Sequence, residues 1–94
     1  MPREVQRIPH TGEVIVRYFA AVKAAAGVAE DIVEATTLAE ALAAVRVGRD
    51  QRFTDVLARC SHVVDGHPVG TRDHSTVAVR ADSVAECLPP FAGG

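Results

Sequence analysis

The chain has 94 residues, of which 48% are apolar, 23% charged and 4% aromatic, with a formal net charge of −2 and no Trp. A domain of this size buries roughly 60–68% of the surface its unfolded chain exposes, which allows one modest Val/Ala/Leu/Ile core but no large enclosed active site with a cofactor domain. An acidic balance without a Lys/Arg cluster disfavours nucleic acid, and no apolar run approaches the ~20 residues of a membrane span.

Residues 1–12 carry Pro2, Pro9 and Gly12 among charges and show no period. They read as a flexible N-terminal extension, with a short strand at Val5–Ile8 as the alternative. Met1 to Arg7 lack the apolar stretch of a signal peptide, so a cytoplasmic protein is expected. Residues 13–94 read as one domain. Glu13 to Ala20 is β-branched and aromatic without Gly or Pro, the strongest strand signal in the chain. Alternation puts Val14, Val16 and Tyr18 on one face, and Ile15, Arg17 and Phe19 on the other. Ala21 to Ala26 then reads as one or two helical turns, stopped by Gly27. Glu30 to Ala35 is a short strand whose charges suit a sheet edge.

Thr37-Leu38-Ala39-Glu40 is a capping box. The Thr37 hydroxyl accepts from the Glu40 amide, and the Glu40 side chain reaches back to the Thr37 amide. Leu38, Ala41, Leu42 and Val45 follow at helical spacing, up to Gly48. This is the main helix. Gln51 to Arg59 groups Phe53, Val56 and Leu57 as a shorter one. Cys60 to Asp65 is a strand, and Asp65-Gly66 a turn. Pro68 argues against a simple hairpin beyond that turn. Gly70 to His74 is a loop, Ser75 to Arg80 a short strand, and Ala81 to Ser83 a turn. Val84 to Leu88 is the last strand, closed by Pro89-Pro90, since proline donates nothing to a ladder. One dominant helix and about five strands define an α+β layer.

The usual catalytic constellations are missing from the sequence. His10, His62, His67 and His74 pair with no Cys or His at metal-ligand spacing, so no metal site is expected. His62, inside a strand, reads as a hydrogen-bonded structural histidine. Cys60 and Cys87 read as small buried hydrophobes in a reducing compartment. No glycine-rich phosphate loop or nucleophile elbow occurs.

The C-terminal segment is different. Pro89-Pro90 favours a stiff extended exit from the sheet. Phe91 and Ala92 follow, then Gly93-Gly94. Without Cβ atoms, two glycines can enter a channel that any side chain would block. The group they would deliver is the carboxylate of Gly94. ATP converts such a carboxylate to an acyl adenylate; sulfide or a persulfide displaces AMP and leaves a thiocarboxylate. The alternative is a frayed chain end without a function.

These features resemble the ubiquitin-like β-grasp sulfur carriers of the MoaD/ThiS type, over residues 13–94. The resemblance rests on Val16 to Ala20 with the Ala-rich stretch to Gly27, on Thr37 to Leu42, on Val64-Asp65-Gly66, and above all on Leu88 to Gly94. Pro-Pro before Gly-Gly is more similar to the small subunits of molybdopterin synthase than to the thiamine branch. The resemblance implies a mixed sheet of about five strands on one main helix, with an extended tail at 89–94. It implies a carrier rather than an enzyme, with no cofactor of its own. An ubiquitin-activating-type adenylyltransferase, holding ATP and Mg²⁺, would adenylate Gly94, and a sulfur donor would complete the thiocarboxylate. Sulfur would then pass to a pterin precursor on the large synthase subunit. The implied partner-facing residues are Phe19, Lys23, Val63, Pro68, Leu88 and Phe91, with Pro89, Pro90, Phe91, Ala92 and Gly93 forming the tail before Gly94. Three features depart from the family pattern: the long extension, His62 in place of an apolar residue, and no obvious Gly-Asp turn between Gly70 and Ser83. A sulfur carrier for thiamine, cysteine or another metabolite, a ubiquitin-like modifier joined to lysines, and a passive interaction domain remain alternatives.

Overall fold

A computed structural model describes residues 12–90 of the chain. The N-terminal extension, apart from Gly12, and the tail residues Phe91, Ala92, Gly93 and Gly94 lie outside the described residues. Strand β1 (Glu13–Tyr18) leads into helix α1 (Ala20–Ala26), then β2 (Glu30–Glu34), α2 (Leu38–Arg46) and α3 (Gln51–Ala58). Strands β3 (Ser61–Val64), β4 (His67–Pro68) and β5 (Val84–Leu88) complete the sheet, with a 3-10 turn at His74–Thr76 before β5. The sheet order is β2-β1-β5-β3-β4. Strands β1 and β5 are parallel, and the other neighbours are antiparallel. The expected mixed sheet of five strands packed on a main helix is therefore present.

The alternation of β1 dictates its burial. Val14, Val16 and Tyr18 are buried, while the residues between them are half-buried. Their face meets Leu38, Ala41, Leu42 and Val45 of α2, Phe53 and Leu57 of α3, and Ala85 and Cys87 of β5 in one core. Tyr18 and Phe53 meet edge to face, 5.6 Å apart at 88°, a geometry that aligns the positive ring edge with the negative face. The strand stops at Tyr18, two residues before the sequence suggests, because Ala20 turns to φ 52. Gly27 ends α1 in the left-handed conformation as expected. Gly12 belongs to the fold rather than to the extension. It is buried, its carbonyl accepts from the Ala35 amide at 3.0 Å, and its φ is +73. A Cβ there would come within 2.6 Å of the Ala35 carbonyl oxygen.

Four local expectations need correction. The Thr37 hydroxyl caps the Glu40 amide at 3.1 Å, but Glu40 reaches back chiefly to the Thr36 amide and hydroxyl, with the Thr37 amide its weaker partner. Strands β3 and β4 do form a hairpin across Asp65-Gly66, with Val64 opposite His67 and Val63 opposite Pro68. Asp65 (φ 51) and Gly66 (φ 85) supply the two positive dihedrals of the tight primed turn. Pro68 is tolerated because β4 is the sheet edge and only two residues long. Residues 75–80 are not a sheet strand. They form the end of the 3-10 turn and a single bridge, with the Leu38 amide donating to Val77 and the Val79 amide to Thr36. Lastly, His62 is buried with its Nε2 lacking a hydrogen-bond partner. The expected hydrogen-bonded histidine is thus incompletely satisfied.

Phe53 is fully buried in the core, where α3 contributes it together with Leu57. Phe53→Ala should cost about 3–5 kcal/mol, a large share of the ~5–15 kcal/mol typical of a domain. Urea unfolding followed by circular dichroism checks this; a loss below ~1 kcal/mol would contradict the packing described.

Candidate functional site: the tail end of the sheet

The last strand lies in the middle of the sheet, between β1 and β3. The chain beyond Leu88 therefore leaves from the sheet centre, at the end where β1 passes into α1. Ala85 and Cys87 point into the core, so Val84, Glu86 and Leu88 stand on the opposite, outer face. Registration brings Leu88 beside Ser61 of β3. On the other side, Tyr18 pairs with Cys87 as the last pair of that ladder, and the half-buried Phe19 follows it with extended backbone before α1 begins. Pro89 is half-buried and Pro90 exposed.

One row further from the tail, a line of outer-face residues crosses all five strands. It runs Pro68, Val63, Glu86, Arg17, Glu30. Val63 is half-buried and Pro68 exposed. Arg17 Nε donates to Glu30 Oε1 at 3.3 Å in an exposed pair. Lys23 is exposed one helical turn beyond Phe19, its amide donating to the Phe19 carbonyl at 3.4 Å. Thus Phe19 follows β1 and Leu88 ends β5 at the same end of the sheet, Val63 and Pro68 pair one row away, and Lys23 stands on the neighbouring helix. Phe91 and Gly94 lie outside the described residues. Arg17 and Glu86 share the face with the apolar residues, although the sequence reading singled out neither. The period-two alternation that selects Leu88 also selects Glu86, so the signal was available.

The start of β5 is fixed by one side chain. Asp65 accepts from the Val84 amide at 2.8 Å and from the Ser83 hydroxyl at 2.9 Å. The Asp65 amide returns a bond to the Val84 carbonyl at 2.9 Å. The strand that carries the tail is therefore pinned at its beginning and paired on both sides along its length.

The thiols are chemically quiet. Burial pushes Cys60 up to about 11 and Cys87 up to about 12, the latter helped by its neighbour Cys60. Cys60 Sγ donates to the Val56 carbonyl. Neither supplies thiolate at neutral pH, and the thiolate is the reactive form. Among the described residues, no group of three or more His, Cys, Asp and Glu is placed to hold a metal ion. No helix among them is long and apolar enough to cross a membrane. The arrangement around Leu88 can present a segment of chain to another surface and contribute apolar and charged contacts to it.

The sheet order, the parallel central pair and the crossing helix constitute a ubiquitin-like β-grasp. Solved structures share it. Small archaeal modifier protein 1 (SAMP1) from Methanosarcina acetivorans is 18% identical, with 90% of this chain and 99% of that chain covered at a TM-score of 0.76. A chain of the complex between subunits 1 and 2 of molybdopterin-converting factor from Helicobacter pylori is 23% identical, with 87% and 99% covered at a TM-score of 0.64. Urm1 from Trypanosoma brucei is 10% identical, with 88% and 96% covered at a TM-score of 0.66. At these identities the likeness is one of fold. No protein-family model and no curated protein matches the sequence.

His62 gives a pH dependence. Its ring lies 5.0 Å from that of His74. Burial lowers its pKa to about 4, with His74 and Arg46 adding to the shift. The folded value lies below the ordinary 6.5, so the unfolded chain binds the proton first. The stability linked to neutral His62 is complete above pH ~6.5 and is lost as pH falls towards 4, by on the order of 3 kcal/mol. Urea midpoints measured between pH 7 and 4 should fall for the native chain and flatten for His62→Leu. Equal slopes in the two proteins would exclude His62 as the origin.

Proposed function

We propose that this chain is a sulfur carrier, the small subunit of a molybdopterin synthase, acting in the cytoplasm. The observation that carries the reading is the conjunction at the tail end. Leu88 ends the central strand of a β-grasp sheet, Pro89 and Pro90 continue from it, and Phe91-Ala92-Gly93-Gly94 follow in the sequence. The fold is shared with a chain of the H. pylori molybdopterin-converting factor complex, which supports a large-subunit partner. In this reading the chain is not an enzyme. The Gly94 carboxylate attacks ATP on a ubiquitin-activating-type adenylyltransferase that supplies Mg²⁺, and pyrophosphate leaves. A sulfur donor then displaces AMP to give the Gly94 thiocarboxylate. The large synthase subunit supplies the site where that sulfur is transferred. The chain contributes position: a rigid head and a thin tail that enters its partners' sites.

Incubation with the cognate adenylyltransferase, ATP and a sulfur donor, followed by intact mass spectrometry, tests the chemistry. Replacement of one oxygen by sulfur at Gly94 is expected. No such shift, under conditions that charge a control carrier, would refute the reading. Deleting Gly94 should abolish charging without changing the unfolding midpoint. On the docking side, Leu88→Asp should weaken binding to the large subunit by about tenfold or more, as expected for a charge in an apolar contact. Unchanged affinity in a titration calorimeter would remove Leu88 from the interface.

The likeness to SAMP1 favours a second reading, a ubiquitin-like modifier whose tail joins lysine side chains of other proteins. It differs in its product. Cells expressing the tagged chain would contain higher-mass adducts with an isopeptide bond to Gly94, whereas the carrier yields none.

A further inference from the structure

At the opposite end of β5 from the tail, an open cleft of about 390 Å³ lies between the β3–β4 turn and residues 76–83. Its floor is apolar, made by Val64, Val77 and Val79, each at most 7% exposed. Its rim carries Arg72, Arg80 and His67. The one carboxylate in the cleft, Asp65, is occupied by the Ser83 hydroxyl and the Val84 amide. Among the described residues, neither Arg72 nor Arg80 has a carboxylate within 4.0 Å; the ion pairs there are Arg17–Glu30 and Arg49–Asp31. Two unpaired guanidinium groups thus share one cleft in a chain whose formal charge is −2.

Arg72 is also held in place. Its Nε donates to the Val69 carbonyl at 3.1 Å and its Nη2 to the Pro68 carbonyl at 3.2 Å. Anchoring one edge of the guanidinium leaves Nη1 as a pre-oriented donor and reduces the side-chain entropy lost on binding. One anchored and one free guanidinium above an apolar floor match an oxyanion attached to a compact apolar or planar body. A free inorganic anion would use the rim and leave the floor uncovered.

We infer that this cleft is a binding site for a phosphate monoester, its phosphoryl group between Arg72 and Arg80 and its body on Val64, Val77 and Val79. Val84, which follows the cleft residue Ser83, and Leu88 at the tail base are separated by about 13 Å along β5. The site can therefore be filled while the tail is engaged elsewhere, and it does not depend on the sulfur-carrier reading.

The full chain, labelled with ¹⁵N, would be titrated with inorganic phosphate, adenosine monophosphate and adenosine at low salt. Saturating shifts are expected at the Arg72 and Arg80 Nε–H groups and at amides 76–80. Adenosine monophosphate should bind about fivefold tighter than phosphate because it also covers the floor, and adenosine should bind weakest. Arg72→Gln and Arg80→Gln should each weaken the ester by about tenfold, the worth of a charge-assisted contact; Arg59→Gln should leave it unchanged. Among the described residues Arg80 makes no side-chain bond that its replacement would break, so that variant remains informative if Arg72→Gln unfolds. Shifts that do not saturate, equal affinity for phosphate and the ester, or an affinity left unchanged by Arg80→Gln would each overturn the inference.

Discussion

The parallel pairing of β1 with β5 is the constraint on which the rest of the structure depends. It joins Ile15 to Val84 and Tyr18 to Cys87, residues nearly seventy positions apart in the sequence. No local turn can enforce such a pairing, since parallel strands need a long crossover. What enforces it is burial. Val14, Val16 and Tyr18 on one strand and Ala85 and Cys87 on the other are essentially inaccessible to water, and their shared face has no alternative cover once α2 and α3 have packed. A one-residue slip of either strand would turn its buried set outward. The same pairing makes β5 an interior strand, so the segment after Leu88 begins from a backbone hydrogen-bonded on both sides. A tail that started from an edge strand would inherit the edge's fraying.

A polar device closes the other side of the core. Asp31, on the edge strand β2, accepts from the Tyr18 hydroxyl at 2.6 Å and pairs with Arg49 at 2.8 Å. The Arg49 guanidinium lies 4.7 Å from the centre of the Phe53 ring, and Arg49 also donates to the Val45 carbonyl. Burial drives the Tyr18 pKa upward, reinforced by the Asp31 carboxylate. Burial would raise Asp31 as well, but hydrogen bonds from Arg49 and Tyr18 outweigh it and leave the carboxyl below its ordinary value. The cluster ties β1, β2, the end of α2 and α3 together at the point where an apolar seal would have to cover a tyrosine hydroxyl. Leaving that hydroxyl without a partner would cost more than the net worth of an ordinary hydrogen bond.

How much of this was legible follows from the kind of signal each part carries. The strands β1 and β5, the Thr37 cap, the Gly27 stop and the charged edge at Glu30–Glu34 are written in local pattern, and local pattern is what a sequence displays. Residues 75–80 show why pattern can mislead. Val77 and Val79 alternate and are buried, as in a strand, yet their backbone pairs with Thr36 and Leu38 at the start of α2. Alternation reports which side chains are covered, not which backbone covers them. Pro68 misled in the opposite direction, because its missing donor matters only in an interior strand. The Asp31–Arg49 pair and the unbonded His62 Nε2 had no signal at all, since each depends on groups distant in sequence. At the candidate site, Phe19, Leu88, Val63 and Pro68 were legible as apolar residues near a tail; their grouping towards one end of the sheet comes only from the register.

The economy of the fold bears on what it can do. Its thiols are held protonated by burial, the buried His62 is held neutral, and the carboxylates of Asp31 and Asp65 are committed to internal bonds. Groups committed in this way stabilise the head and are withdrawn from chemistry. Asp65 shows the consequence most clearly. By binding the Val84 amide and the Ser83 hydroxyl it fixes where β5 begins, and with five paired residues to Leu88 it also fixes where the tail must start. The same commitment leaves Arg72 and Arg80 unpaired beside it. One carboxylate therefore sets the reach of the chain at one end of β5 and the charge of the cleft at the other. The two ends are coupled through strand geometry, with no moving part between them.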